Sequence, residues 1–421
     1  VSRPSREKAD RSRMRTGYTT GANAAAAACA ATRVALGRPL APWTGSLPEL
    51  TADRYDQLVG SVEIEIPNGD RVRFPVRTAH RWEDDQGVVA RASVIKDGGD
   101  DPDCTHRAEI WAEVRIIGPT APVALAGPVD SGEPADIVEL EGGAGVGRVT
   151  RAGLGLPVGV PAINPVPRRN ITEQVAALLP PACRVRVVVG IEDGEALARK
   201  TLNERLGIVG GLSILGTTGI VRPYSTAAWR ASVQQAIDVA RAHGLSEVVL
   251  TTGGRSERAA QALRPDLPDQ AFVQMGDFVG HALDASASAG IRRITICAMM
   301  GKLSKMADGR LMTHARGSAV NMVLLADLAR SVGADEALAE QILEANTGRH
   351  VAELVEAAGL GPAFATALCE RVVLLFLDHI AARHADPPDL CVLFVDFDGH
   401  LVARFPADAL RPLPPDPGAR P

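Results

Sequence analysis

Four carboxylates and a histidine crowd one short stretch, Asp97, Asp100, Asp101, Asp103 and His106, just after the apolar pair Val94 and Ile95. Acids this close repel one another unless a cation, a shared proton or backbone N–H groups compensate. Three chemistries meet that demand: a calcium loop, a general acid/base cluster, or a turn whose Asp side chains cap its own backbone. The EF-hand ligand order and its terminal Glu are missing. A second group of motifs pairs Gly with Thr. Gly17-Tyr18-Thr19-Thr20-Gly21-Ala22-Asn23 leads straight into Ala24–Ala28, and a helix of alanines is slim enough for close approach. Thr20 or Asn23 is placed to cap its first turn, where free N–H groups suit a carboxylate or phosphate. Further on, Gly211 to Pro223 contains Gly216-Thr217-Thr218-Gly219, and Leu250 to Glu257 contains Thr252-Gly253-Gly254-Arg255. Neither ends in the Gly-Lys-Ser/Thr of a P-loop. Gly142 to Thr150 and Pro161 to Arg169 add glycines for close backbone approach and arginines for forked carboxylate binding.

These motifs need elements to hold them. Val62-Glu63-Ile64-Glu65-Ile66 alternates, turns at Asn68-Gly69 and returns through Val72 to Val76, which predicts a hairpin. Val88–Lys96 and Ala108–Ile117 extend it into an antiparallel or mixed sheet with the slim helix on one face. Composition shifts to Gly and Pro around Pro157–Pro167. After Thr172, short apolar runs at Val185–Val189, Val248–Leu250 and Ile294–Ile296 alternate with amphipathic stretches such as Ser225–His243 and Phe278–Ala289. That rhythm predicts βαβ units and a parallel sheet. The fold class is therefore α/β plus α+β. An α+β N-terminal domain is expected over residues 16–170, and a Rossmann-like parallel α/β domain over 171–312 with a cofactor crevice beyond its strand ends. Residues 313–404 read as a helical segment and a terminal hairpin, Cys391–Phe397 with His400–Phe405, turning at Asp398-Gly399. A lone hairpin is unstable, so it is expected to dock on the N-terminal sheet. Residues 1–15 read as a disordered leader and 405–421 as a Pro-rich tail.

The bulk properties narrow the classes. With 421 residues, 46% of them hydrophobic, the chain can bury two or three cores. Aromatic content is only 4%, so those cores are aliphatic. A net charge of −5 argues against a general nucleic-acid binder. No apolar run approaches the roughly 20 residues of a membrane span, and the first residues hold no secretory segment, so a cytoplasmic protein without membrane contact is expected. The six cysteines are scattered with no C-x-x-C pair, which indicates neither a metal site nor a disulfide framework. Of 45 basic residues only Lys8, Lys96, Lys200, Lys302 and Lys305 are lysines. A lysine kept in so arginine-rich a chain points to a task for a compact point charge.

Taken together, Gly17–Gly21, Val94–His106, Pro161–Arg168, Gly211–Pro223, Thr251–Glu257, Val273–Gly280 and Gly301–Lys305 resemble, in order, the signature blocks of the CbiD family, the cobalt-precorrin-5B methyltransferases of cobalamin synthesis. The chain departs from the family at Asn23, where Cys is common. The resemblance implies methyl transfer from S-adenosylmethionine to ring carbon C-1 of cobalt-precorrin-5B, giving cobalt-precorrin-6A in the anaerobic pathway. On that reading the cofactor lies at Gly216, Thr217, Thr218, Gly219, Thr252, Gly253, Gly254 and Arg255, with Asp277 for its ribose. The polyanionic tetrapyrrole needs a polar, cationic lining, expected from Thr19, Thr20, Lys96, Arg148, Arg168, Arg169, Arg222, Lys302 and Lys305. Asp100 or Asp101 with His106 is expected to handle a proton. The substrate brings its own cobalt, so no protein metal site is expected. Two rival readings are an ATP-dependent kinase or ligase acting on a carboxylated metabolite, which would lack a Walker lysine, and a non-catalytic tetrapyrrole carrier.

Overall fold

A helix of alanines belongs inside a protein, because it is apolar on every side. In the computed structural model, which describes residues 14–46, 58–117, 137–314 and 319–413, α1 spans Thr20–Ala35. Its Ala24 to Ala28, Ala30 and Ala31 are each 0% exposed. Thr19, not Thr20 or Asn23, caps it, the Thr19 hydroxyl accepting the Ala22 N–H at 3.2 Å. The chain divides into two compact units, Val1–Ser225 and Thr226–Pro421.

In the first unit, β1 (Gly17–Tyr18) precedes α1, and the expected hairpin forms from β2 (Gly60–Glu65) and β3 (Arg71–Val76), with Ile64 opposite Val72. The main sheet contains β4 (Thr78–Asp84), β5 (Gly87–Ile95), β6 (Glu109–Ile116), β7 (Val138–Gly142) and β10 (Val185–Ile191), in the order β4-β5-β6-β10-β7. Only the β10–β7 pair is parallel. Helix α1 packs on β5 and β6 and on α2 (Pro165–Ala176). Short segments complete the unit. β8 (Gly145–Val146) pairs with β12 (Gly211–Leu212), β9 (Arg148–Val149) with β11 (Ile208–Val209), and β13 (Ile220–Val221) with β1. Between β10 and β11 lie α3 (Gly194–Ala198) and α4 (Asn203–Leu206).

The second unit runs α5 (Thr226–Ala242), β14 (Glu247–Thr251), α6 (Gly254–Leu263), β15 (Phe272–Gln274), α7 (Val279–Ser288), β16 (Arg293–Ala298) and α8 (Met300–Ala307). Four helices follow, α9 (Met322–Ser331), α10 (Glu336–Glu344), α11 (Gly348–Ala357) and α12 (Gly361–Ala381), then β17 (Asp389–Val395) and β18 (Leu401–Phe405). The sheet order is β15-β14-β16-β17-β18, parallel except for β18. Both faces are covered. Leu250, Ile296 and Val392 meet Leu283, Leu303 and Phe376 on one side, while Val249, Cys297 and Leu393 meet Ala259 and Ala260 of α6 on the other. Strands buried on both faces read as continuous apolar runs, as these do. Among the described residues no helix is long and apolar enough to cross a membrane.

Three sequence expectations are corrected. The domain boundary falls at Ser225 rather than at 170, because β10 is inserted between β6 and β7 of the first sheet. The terminal hairpin joins β16 of the second sheet rather than the N-terminal one, since β17 lies in register with it from Arg293/Asp389 to Ala298/Phe394. An apolar strand shows its burial but not its partner. The ends are also tied down where described. Arg15 pairs with Asp97, while beyond Phe405 Ala409 is 1% exposed and the Arg411 carbonyl accepts from the Arg293 guanidinium at 2.6 Å. Residues 1–13 of the expected leader and 414–421 of the expected tail lie outside the described residues.

The packing of α1 leaves no room for growth. Ala26→Leu is expected to destabilise the protein by roughly 1–3 kcal/mol through overpacking. Urea denaturation measures this, and an unchanged midpoint would mean that α1 has a free face.

Candidate functional site

The motif blocks of the first unit converge at the N-terminus of α1. A Cβ on Gly17 would overlap the backbone of Gly98 and Gly99, and one on Gly216 would overlap the Thr19 side chain. The Tyr18 N–H donates to Asp97 O at 2.7 Å, Thr19 N–H to Gly219 O at 3.0 Å, and Gly21 N–H to Leu215 O at 3.0 Å. The Thr20 hydroxyl accepts the Leu215 N–H at 2.9 Å, and the Asn23 amide donates to Thr19 O at 2.8 Å. The first-turn N–H groups of Gly21 and Ala22 are therefore consumed within the protein, which removes the expected anion site there.

The acidic turn follows the same logic. Asp100 accepts the Arg15 N–H at 2.7 Å, and Asp101 accepts the Tyr224 N–H at 2.8 Å. His106 Nδ1 accepts the Gly98 N–H at 3.0 Å, which places the neutral ring's proton on the buried Nε2. Burial holds the His106 pKa below its usual 6.5 despite Asp97 nearby. Lys96, 1% exposed, pairs with Asp103 at 2.6 Å. Burial pushes the Asp103 pKa up, but the Lys96 charge and the Thr105 hydrogen bonds outweigh it and hold the carboxyl below the usual 3.8. Of the expected substrate contacts here, Arg169 and Arg222 are exposed, Arg148 donates to Gly159 O at 2.9 Å, and Arg168 donates to Leu140 O at 3.4 Å.

The second unit leaves a true opening. Counted from its first strand, its sheet has the order 2-1-3-4-5, so the chain leaves β14 in one direction and returns past it to β16. Ligands bind such sheets in the crevice outside the strands' carboxyl ends at that switch point. A cavity of about 330 Å³ lies there, lined by Thr252, Gly253, Gly254, Arg255, Met299, Gly301, Lys302 and Phe397. Gly253, at φ 155°, precedes α6, and a Cβ there would meet nothing within 4 Å. The Ser256 hydroxyl accepts the Thr252 N–H at 3.0 Å and fixes this turn.

Lys302 braces the crevice. Its ammonium lies 2.8 Å from Asp277 and donates to Gly276 O at 3.1 Å, tying the end of β15 to α8. Asp277 is buried enough to raise its pKa, but Lys302 and the Thr313 hydroxyl hold it below the usual range. Lys305 is 9% exposed and donates to Thr313 O at 3.1 Å, so it is internal rather than a surface contact. Gly216 to Gly219 belong to the first unit, packed on Thr19 and Ile66, and not to the strand ends of this sheet. Sequence reasoning missed Met299 and Phe397. Phe397 sits beside the Asp398-Gly399 turn, and an aromatic at a turn tip in so aromatic-poor a chain was the available signal. The thiols are not reactive features of either site: burial pushes Cys29, Cys297 and Cys369 up to about 12. Among the described residues, Asp396, Asp398 and His400 form the one group with cation-binding spacing, and the Asp396 carboxylate is occupied by the N–H groups of Asp398 and His400.

The second unit is thus of the open α/β class that binds ligands beyond its strand ends. Comparison specifies the family. The family model CbiD matches residues 7–223 and the model described as CbiD, C-terminal domain matches 312–406. The chain is 47% identical over 395 residues to a protein of Polaromonas naphthalenivorans (93% of this chain, 97% of that one). It is 42% identical over 396 residues to one of Leptospira interrogans (93% and 96%). Both relatives are named cobalt-precorrin-5B C(1)-methyltransferase. The crystal structure of a cobalamin biosynthesis protein (CbiD) from Archaeoglobus fulgidus is 25% identical, covers 70% of this chain and 80% of that one, and superposes with a TM-score of 0.33. The chain belongs to the CbiD family.

The buried pair of the acidic turn gives a stability test. Removing one partner of a buried pair costs roughly 3–5 kcal/mol, and less here because the Asp103 side chain is 23% exposed. Lys96→Met is expected to destabilise accordingly. Because the folded-state pKa of Asp103 is depressed, its contribution is present above about pH 3.8 and is lost as pH falls through the lower folded value. Acid denaturation of wild type and variant should therefore converge at low pH, and a constant difference across that window would contradict the pairing.

Proposed function

We propose that this chain is a cobalt-precorrin-5B C(1)-methyltransferase of cobalamin synthesis, using S-adenosylmethionine bound in the β14–β16 crevice of a Rossmann-like domain. The observation that carries the cofactor assignment is the glycine-lined opening at the switch point, Gly253 and Gly254 against Met299 and Gly301. Its volume lies within the roughly 300–1,000 Å³ of small-ligand sites, and the space before Gly253 is open, so a side chain there would project into it. When bound, S-adenosylmethionine supplies a methyl group on a sulfonium, whose sulfur keeps the electron pair as the bond to ring carbon C-1 forms.

The chain's own residues then bind and orient. Gly253 and Gly254 admit the ligand to the backbone, and the first turn of α6 with Arg255 suits a carboxylate. Lys302, on α8, holds the loop after β15 in place through Gly276 and Asp277, so it serves the site as a brace. The catalytic gain is alignment of methyl and nucleophilic carbon. Asp100, Asp101 and His106 enter as the frame of the first unit, one oxygen of each carboxylate and the His106 Nδ1 each accepting a backbone N–H. Exposed Arg169 and Arg222 are the cations of that unit best suited to the carboxylate arms of the tetrapyrrole.

Two measurements test this. S-adenosylhomocysteine at 100 times its Kd is expected to stabilise the fold by about 2.7 kcal/mol. Gly253→Val should abolish the shift, because φ 155° strains a β-branched residue and its side chain projects into the open space. Heat of binding with Mg-ATP and none with S-adenosylhomocysteine would instead favour the kinase or ligase reading. Arg169→Ala and Arg222→Ala should each weaken tetrapyrrole binding by only about 0.2–1 kcal/mol, as exposed charges do, without changing S-adenosylhomocysteine affinity. Altered affinity for the nucleoside in either variant would displace these arginines from the substrate side.

A further inference from the structure

We infer that Phe397 is the stacking platform for the purine base of the methyl donor, so that the family's C-terminal domain supplies a wall of the cofactor crevice. The inference rests on the assignment of the β14–β16 crevice to that donor. It begins from exposure. Phe397 is 54% exposed and belongs to none of the apolar clusters that fill the second unit. The chain has only eight Phe among 421 residues. An aromatic ring left in water at a cavity wall, in a protein that otherwise builds with aliphatics, is available to a ligand.

The turn that carries it is held rigidly. The Asp396 carboxylate accepts the N–H groups of Asp398 at 2.9 Å and His400 at 2.8 Å, and Asp396 N–H donates to His400 O at 3.0 Å. Just before it, the β17–β18 register shifts between Phe394 and Val395, an irregularity of the kind that re-aims the residues beyond it. The ring thus reaches the cavity from the turn after β17, three strands after β14 in sequence order.

Lining chemistry points to a flat, heteroaromatic guest. Of the eight lining residues, only Met299 and Phe397 offer a large apolar surface, and the rest are glycines, a threonine and two cations. A base has nowhere else in this cavity to lay its faces. Two guanidiniums, Arg349 at 5.5 Å and Arg255 at 6.0 Å from the centroid, lie over the ring at the long end of cation–π range, and the residue stays 54% exposed beside them. Arg349 is itself fixed by Glu353 at 2.9 Å. The lining residues include no carboxylate, so the polar end of the donor is directed to the backbone N–H groups of the α6 turn while the base lies on Phe397.

Calorimetric titration of the full chain with S-adenosylhomocysteine and with adenosine decides the matter, comparing wild type, Phe397→Ala and Phe397→Trp. Stacking is worth enough that F397A should raise both Kd values roughly tenfold, while the melting temperature of the unliganded protein stays unchanged because the ring is outside the core. F397W should keep wild-type affinity and show quenching of the added tryptophan when ligand binds, read against wild type. If wild type binds S-adenosylhomocysteine and F397A binds it equally well, Phe397 is not the platform although the crevice assignment stands. The same follows if F397A loses S-adenosylhomocysteine affinity but not adenosine affinity. If wild type binds neither ligand, the crevice assignment falls and this inference with it.

Discussion

The structure depends on close approach at positions where only the smallest residues fit. Helix α1 lies against its sheet and α2 mainly through alanine methyl groups. At its N-terminus, Gly17 meets Gly98 and Gly99, and Gly216 meets Thr19. Each contact demands the smallest residue, and each brings together segments up to about 200 positions apart in sequence. Glycine costs roughly 0.5–1 kcal/mol in backbone entropy, which burial of α1 on all sides offsets. The motif blocks of the first unit are spread along the chain yet occupy one place because they are the two halves of such contacts.

Charge is used internally with equal consistency. Lys96, Lys302 and Lys305 each spend their ammonium on carboxylate or carbonyl oxygens of neighbouring loops. A tetrahedral ammonium can reach acceptors from several directions, whereas a planar guanidinium reaches them in one plane. This explains lysine at these positions in an arginine-rich chain. Each ammonium thereby holds together the loops around it.

The two ends of the second sheet contrast. At the amino ends of β14 and β16, Arg264 is 1% exposed and is bound by Glu247 at 2.5 Å and Asp266 at 2.8 Å, closing that edge with paired charge. At the carboxyl ends the chain places glycines, Thr252 and the exposed ring of Phe397, leaving the edge open. A sheet whose crossover helices diverge on either side of β14 has its gap at that end. Paired charge thus closes one edge, and the other is left accessible.

Much was legible in the sequence because the relevant physics is local. The hairpin at Asn68-Gly69, the all-apolar strands at Val248 and Ile294, the alanine helix and the glycine turn at Gly253 follow from turn chemistry, periodicity and side-chain size. So did the family resemblance, carried by ordered blocks of such residues. Partner choice was not local. The Val185 run reads the same whether it starts a parallel domain or completes the first sheet, and the terminal hairpin reads the same on either unit. The acids at Asp100 and Asp101 were visible, but not the N–H groups of Arg15 and Tyr224 that occupy them, the second lying 123 positions away. Phe397 was visible as a residue and not as a cavity wall. Only the tertiary structure decides which strand pairs with which and which side chain faces water, because those choices are made by distant surfaces that must be buried together.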